Sequence, residues 1–370
     1  MKILINDYLL ETWLFSLAIF LLLAISFRKK EAEKEWLSLS VSNELKGLAM
    51  FLIVLSHIGY FLVSDTRFLW PWSTLAGVSV DAFLFLSGFG LSASQLKKDL
   101  SVKDFYLRRL VKLFIPLWVM LVLLLPLDIF YLKIQYSAAY ILRLFSGLTL
   151  SADLYRDFDS PLWYLTFMIP YYVLFPWIFS KKAPWLAAII SFVYGFVLVN
   201  WPPSFLSGVV HLYKLHILAF PLGVLFAWLL SIFPSKEKVS QYLFKSSAWG
   251  RYLVLAFSIL VFLYFFKNSS VGSGYWLEQF VSLATLASII VFFSWKNFTS
   301  RFFAIFGVYS YEIYLWHWPV IYRYDFLYRF LPPWLATFAY LFLLLVLGFL
   351  VQRLGAFFQR QKHPVTVSTT

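Results

Sequence analysis

The sequence predicts an all-α protein, a polytopic transmembrane helix bundle with about eleven spans. Three observations carry this expectation. Of 370 residues, 61% are hydrophobic, 22% aromatic and only 13% charged, whereas a soluble domain holds about 45–50% apolar and about 25% charged residues. The apolar residues form continuous runs of roughly 17–22 positions, near the ~20 that a helix needs to cross hydrocarbon. The runs lack the period-2 alternation of a membrane barrel, and lipid admits only helices or closed barrels.

In order, the spans read Tyr8–Phe27, Lys46–Val63, Leu75–Ser94, Leu110–Tyr131, Pro161–Ser180 and Pro184–Asn200. His211–Phe233, Tyr252–Phe266, Leu277–Trp295, Phe302–Tyr322 and Pro333–Gln352 follow. Proline pairs (Pro202-Pro203, Pro332-Pro333) and the Ser269–Gly274 cluster punctuate the gaps. No internal repeat or low-complexity segment stands out. The first run does not read as a signal peptide. Only Lys2 precedes it, Asp7 and Glu11 interrupt it, and no A-x-A site follows. The loop from Leu132 to Ser160 contains ILRLFSGLTL, which reads as an interfacial amphipathic segment.

A net charge of +13 suggests nucleic acid at first sight. The placement of the basic residues excludes it, because they fall in the gaps between apolar runs. Alternate gaps hold 22 of the 31 Lys and Arg on one side, and the positive-inside rule makes that side cytoplasmic. The N-terminus is then outside and the C-terminus inside, in a multi-pass protein of the cell membrane (inner or plasma membrane). The absence of cysteine excludes disulfides, thiol chemistry and cysteine-bound metals.

A charged group at mid-bilayer costs at least ~2.5–3.5 kcal/mol and therefore faces protein or a wet cavity. Lys46 and His57 are eleven positions apart, roughly three turns plus 20°, so they share one helix face about 16 Å apart. His57, Asp81 and His317 fall at one depth in the outer half of the bundle, with His211, Lys214 and His216 beginning the seventh span. On the cytoplasmic side Lys46 joins Arg108, Arg109 and Lys112, and Arg108 and Lys112 share a face at i, i+4. The histidines show no metal-ligand spacing such as H-E-x-x-H, so no metal site is expected.

Four landmarks give these residues a family resemblance. A basic residue and a histidine flank ten residues (Lys46 to His57). GVSVDAFLFLSGF runs from Gly77 to Phe89, YLRRLVKLFIP from Tyr106 to Pro116, and SYEIYLWHWPV from Ser310 to Val320. PLWYLTFMIPYYVLFP is a weaker fifth. The chain resembles the membrane-bound acyltransferase 3 family, which includes O-antigen and other surface-glycan O-acetylases. Lys46 and Lys112 stand where arginine is common in that family, and Met168 where many members carry glutamate. Lysine meets a phosphate as a point charge, without arginine's fork.

The resemblance implies an extra N-terminal span and linker (1–45), a ten-span acyltransferase domain (46–352) and a cytoplasmic tail (353–370). It implies acyl transfer from a cytoplasmic acyl-CoA, usually acetyl-CoA, to a hydroxyl of a surface glycan or lipid-linked acceptor. Acyl-CoA is then a co-substrate, and no permanently bound cofactor is expected. Lys46, Arg108, Arg109 and Lys112 would hold the donor phosphates, although the positive-inside rule alone also places basic residues there. His57 would be the general base or be transiently acylated. Asp81 would orient that imidazole as a triad's third member does, or tie helices through Lys214 or a serine. His317, Trp163 and Lys214 fall to the acceptor. His317 could equally satisfy carbonyls freed by Pro319. Ser87 and Gly88 read as a close helix contact. The rival reading is a proton-coupled small-molecule transporter built on Lys214, Asp81 and the histidines.

Overall fold

The computed structural model describes residues 3–30, 35–99, 101–233, 238, 248–269 and 275–362, and it is almost wholly helical. The first part of the chain runs α1 (Tyr8–Ser26), β1 (Phe27–Lys29), α2 (Leu39–His57), α3 (Ala76–Lys97), α4 (Val102–Pro126) and α5 (Ala138–Phe145). Then come α6 (Trp163–Ile178), α7 (Pro184–Asn200), α8 (Val210–Tyr213), α9 (Ala219–Ile232), α10 (Ala248–Phe265) and α11 (Tyr275–Trp295). The chain closes with β2 (Phe298–Ser300), α12 (Arg301–Val308), α13 (Ser310–Trp318) and α14 (Pro333–Lys362). Several starts are written in the sequence. Asp7, Ser38, Ser101, Ser137 and Ser300 each accept a main-chain N–H of the first turn that follows, which satisfies donors that a helix start leaves free.

Among the described residues, 7 helices are long and apolar enough to cross a membrane. They coincide with seven of the expected spans. Of the other four, Pro184–Asn200 is helical over its whole expected range, Pro161–Ser180 from Trp163 to Ile178, and two are broken. The expected seventh span is helical only from Ala219, and His211–Leu218 form the short α8 and a series of turns. Pro221 accounts for this. It has no N–H to bond the carbonyl four residues back, so the helix begins where proline sits in its first turn. The expected tenth span is interrupted at Tyr309 into α12 and α13. The expected boundary at 352–353 falls inside α14, and residues 363–370 of the expected tail lie outside the described residues.

Without water to drive helices together, close packing holds a membrane bundle. Two crossings here are backbone to backbone. A Cβ on Gly47 would lie 1.8 Å from the Phe303 carbonyl oxygen, and one on Gly307 would lie 1.8 Å from that of Asn43. These reciprocal glycines weld α2 to α12. A second pair welds α3 to α9, where a Cβ on Gly88 would meet the Phe220 oxygen at 2.3 Å and one on Gly223 the Phe85 oxygen at 2.1 Å. The close contact expected at Gly88 is therefore present. Around these crossings the buried apolar side chains form two groups. One gathers Phe51, Phe306, Leu315 and Trp318, and the other Phe167, Tyr171, Tyr213 and Phe220.

At the Lys46 end, β1 pairs antiparallel with β2 and brings Phe27 opposite Ser300. Beneath the ribbon, fully buried Glu44 accepts from Lys296 Nζ at 2.8 Å and from the Ser300 main chain. That buried pair ties α2 to the chain around β2. At the opposite end three helices widen into π turns. Ile58–Leu62 follows His57, Leu127–Tyr131 follows Pro126, and Pro319–Arg323 follows Trp318. Such widened turns occur often at functional sites.

Candidate active site

α2 delivers His57 at its last residue, and α13 delivers His317 one residue before its end. The two rings meet, with His317 Nε2 3.2 Å from His57 Nδ1. Their protonation follows from the remaining partners. His317 Nδ1 lies 2.6 Å from the Tyr314 carbonyl oxygen, which only accepts, so Nδ1 carries the hydrogen. In the neutral ring Nε2 is then a lone pair. It accepts from His57 Nδ1–H, which also points at the Ile53 carbonyl 3.0 Å away. The hydrogen-bond network thus assigns His57 Nε2 as an unprotonated nitrogen, and that atom has no hydrogen bond among the described residues. Trp318 and Phe61 wall the imidazole at ring-centroid distances of 5.4 and 5.9 Å. His317 is fully buried, while His57 remains partly exposed.

Eleven residues before His57 along α2, the ammonium of Lys46 lies close enough to Arg109 and Lys112 to be repelled by both. Among the described residues no ion pair with a carboxylate neutralises these three cations, and such a group makes a ready anion site. Arg109 and Lys112, at i and i+3 on α4, lie within electrostatic range of Lys46, and Arg108 and Lys112 are both exposed. Tyr311 donates to the Leu113 carbonyl at 2.7 Å, which ties α13 to this part of α4.

Asp81 does not orient His57. Its carboxylate is fully buried and accepts from His216 Nδ1 at 2.7 Å and from Ser282 Oγ at 2.6 Å. The physical reason is the break before α9. The turn over 214–218 aims His216 inward against Asp81, a placement that one continuous helix from His211 would not give. Trp163 stacks on His216 with centroids 5.9 Å apart and an interplanar angle of 17°. Lys214 is partly exposed on the same turn and makes no ion pair with Asp81 or Glu312 among the described residues. The expected acceptor group of His317, Trp163 and Lys214 is therefore divided. His317 belongs with His57, and Trp163 with His216. Among the described residues no group of three or more His, Asp or Glu side chains could hold a metal ion.

Sequence reasoning missed three features. It noted His216 but gave it no role, because depth along a span does not show which side chains meet. It missed Ser282, one serine among many. It also missed the outer network in which Arg323 Nη1 bonds Asp128 at 2.6 Å and the Tyr136 hydroxyl at 2.8 Å. Arg323 read as an outside loop cation, and Asp128 was not singled out.

The acyltransferase 3 family model, described as an acyltransferase domain, matches residues 43–353. Two proteins of Staphylococcus aureus, from strains COL and N315, are each 24% identical to the chain over 319 residues. Each bears the name "Putative O-acetyltransferase". The matches cover 75% of this chain and 50% of either relative, so the chain spans about half the length of these curated relatives. No solved structure matches it. Residues 43–353 include α2 with its Lys46 and His57, and α13 with His317. This multi-pass helical membrane protein belongs to the acyltransferase 3 family.

Proposed function

We propose that the protein is an integral membrane O-acyltransferase. It moves an acyl group, acetyl in the first instance, from acyl-CoA to a hydroxyl of a cell-surface glycan or a lipid-linked sugar. The observation that carries this reading is the contact between His57, at the end of α2, and His317 of α13, with Lys46 eleven residues back along α2 beside Arg109 and Lys112. The names of the relatives support acetyl. The distribution of Lys and Arg supports a cytoplasmic basic end, with the N-terminus outside and the C-terminus in the cytosol.

The donor phosphates bind the basic end by charge-assisted hydrogen bonds. The acyl arm then runs along the helix face, roughly 16 Å, towards His57. There His57 Nε2 takes the proton of the acceptor hydroxyl as its oxygen attacks the thioester carbonyl. The new C–O bond forms and the C–S bond breaks. The departing thiolate receives the proton from the imidazolium, giving free CoA and an ester. The cation formed in between is stabilised by the Ile53 carbonyl and by His317 Nε2. His317 is a positioning residue, in the place a carboxylate takes in a serine-protease triad. Asp81 holds His216 and so steadies the neighbouring helices.

Mass spectrometry of surface glycans and lipids, from cells with and without the gene, tests this reading. An acyl mass that appears only with the gene, and carries label from labelled acetyl-CoA, is the expected result. Identical glycan and lipid spectra, together with proton-coupled flux in liposomes, would replace it with a transporter.

A further inference from the structure

The outer loop between α4 and α6 saturates its buried carboxylates with one exception. Asp157 accepts from Ser151 Oγ and from the Asp153 main chain. Asp128 accepts from Tyr136, Tyr324 and Arg323. Asp159 is 1% exposed, yet among the described residues neither of its carboxylate oxygens has a hydrogen-bond partner. Arg323 shows the complementary defect. Its two Nη nitrogens bond Asp128, Tyr136 and the Asp157 carbonyl, but among the described residues its buried Nε–H has no partner. The guanidinium lies within electrostatic range of the Asp159 carboxylate, and no direct hydrogen bond joins them.

The chain does not leave Asp159 free to find a partner. Arg323 holds the carbonyl of Asp157, Tyr140 holds the N–H of Phe158, and Tyr314 donates to the carbonyl of Pro161 at 2.7 Å. Burial pushes the Asp159 carboxyl well above the usual carboxylate range, against the pull of Arg323. An unmet buried acceptor costs about 1–3 kcal/mol, and a native structure that keeps one usually has a use for it.

One group satisfies both defects at once. A hydroxyl donates to a carboxylate and accepts from an N–H. We infer that Asp159 and Arg323 Nε form a hydroxyl-binding subsite for the acceptor, a polyhydroxylated sugar, beside the catalytic imidazoles. The inference rests on the transferase reading above. Its placement fits that reading. Arg323 ends the π turn that begins two residues after His317, and Tyr314, which anchors the Asp159 segment, also holds His317 Nδ1.

The test uses the full-length protein in proteoliposomes, with labelled acetyl-CoA at the basic end. The acceptor probe is surface-glycan fragments released by mild acid from the expressing cells. Asp159→Ala raises the acceptor concentration for half-maximal transfer roughly tenfold or more, and half-saturation by acetyl-CoA stays unchanged. Asp159→Asn, which keeps one acceptor oxygen, shows a smaller rise. A second readout needs no activity. Removing an unmet carboxyl leaves the thermal midpoint of Asp159→Ala at or above wild type. The facing groups are Arg323, Asp157, Tyr140, Tyr311 and Tyr314. A carboxyl whose folded pKa is raised is no burden at low pH and becomes one as pH rises above the unfolded value of about 4. The advantage of Asp159→Ala therefore widens as pH rises. An unchanged acceptor curve, a lowered midpoint, or a parallel change in donor and acceptor half-saturation overturns the subsite. A wild type that transfers label to no acceptor overturns the transferase reading and the subsite with it.

Discussion

Two helix pairs in this bundle share a plan and end in different chemistry. α2 crosses α12 at Gly47 and Gly307, and α3 crosses α9 at Gly88 and Gly223. Each carries a histidine pairing some way along the chain, ten residues from the first crossing and seven from the second. His57 meets a second imidazole and a main-chain carbonyl, and keeps a partly exposed ring. His216 meets a carboxylate whose other oxygen is taken by Ser282, and lies stacked against Trp163 at 4% exposure. Burial alone therefore does not pick out the working histidine. Access, and a partner that leaves one ring nitrogen free to take a proton, do so.

The sharpest way to break the comparison is at the crossings. Gly47→Ala places a methyl 1.8 Å from a main-chain oxygen, where neither helix can yield by a rotamer change. Loss of folded, detergent-stable protein is expected. Gly88→Ala meets its oxygen at 2.3 Å and is expected to be destabilised but recoverable. Equal yields and unfolding midpoints for both variants and wild type would refute the account of these crossings. A smaller effect separates the two histidine sites. Asp81→Asn keeps the shape and loses the charge-assisted bond to His216, which lowers stability by about 1–3 kcal/mol. Turnover per folded molecule changes little. A turnover collapse with an unchanged midpoint would return Asp81 to the catalytic group. The smallest effect is at the basic end. Arg109→Ala raises half-saturation by acyl-CoA a few-fold, about 1 kcal/mol, because the guanidinium is only half-buried. An unchanged donor curve would remove Arg109 from the phosphate site.

Much of this is legible in the sequence. Composition and run length gave helices in lipid, and a spacing of eleven put Lys46 and His57 on one face. Depth counting placed His57, Asp81 and His317 at one level. It could not choose among them, because His57 and His317 are 260 positions apart in sequence and a one-dimensional depth carries no azimuth. The carboxylate at matching depth looked like the natural orienter, but Pro221 shortens α9 and turns His216 into that place. Gly47, hidden beside a charged residue at a span edge, gave no packing signal. Glu44 lay outside the expected span altogether, yet is fully buried against Lys296.

The central claim is that the free nitrogen of His57 takes the acceptor's proton. The direct measurement compares His57→Gln with His216→Gln, reconstituted at equal density, for label transfer from acetyl-CoA to glycan. Glutamine keeps a donor for either partner, so folding is preserved in both. The account predicts background transfer for His57→Gln and largely retained transfer for His216→Gln. Normal turnover in His57→Gln, or a dead but stably folded His216→Gln, would contradict it.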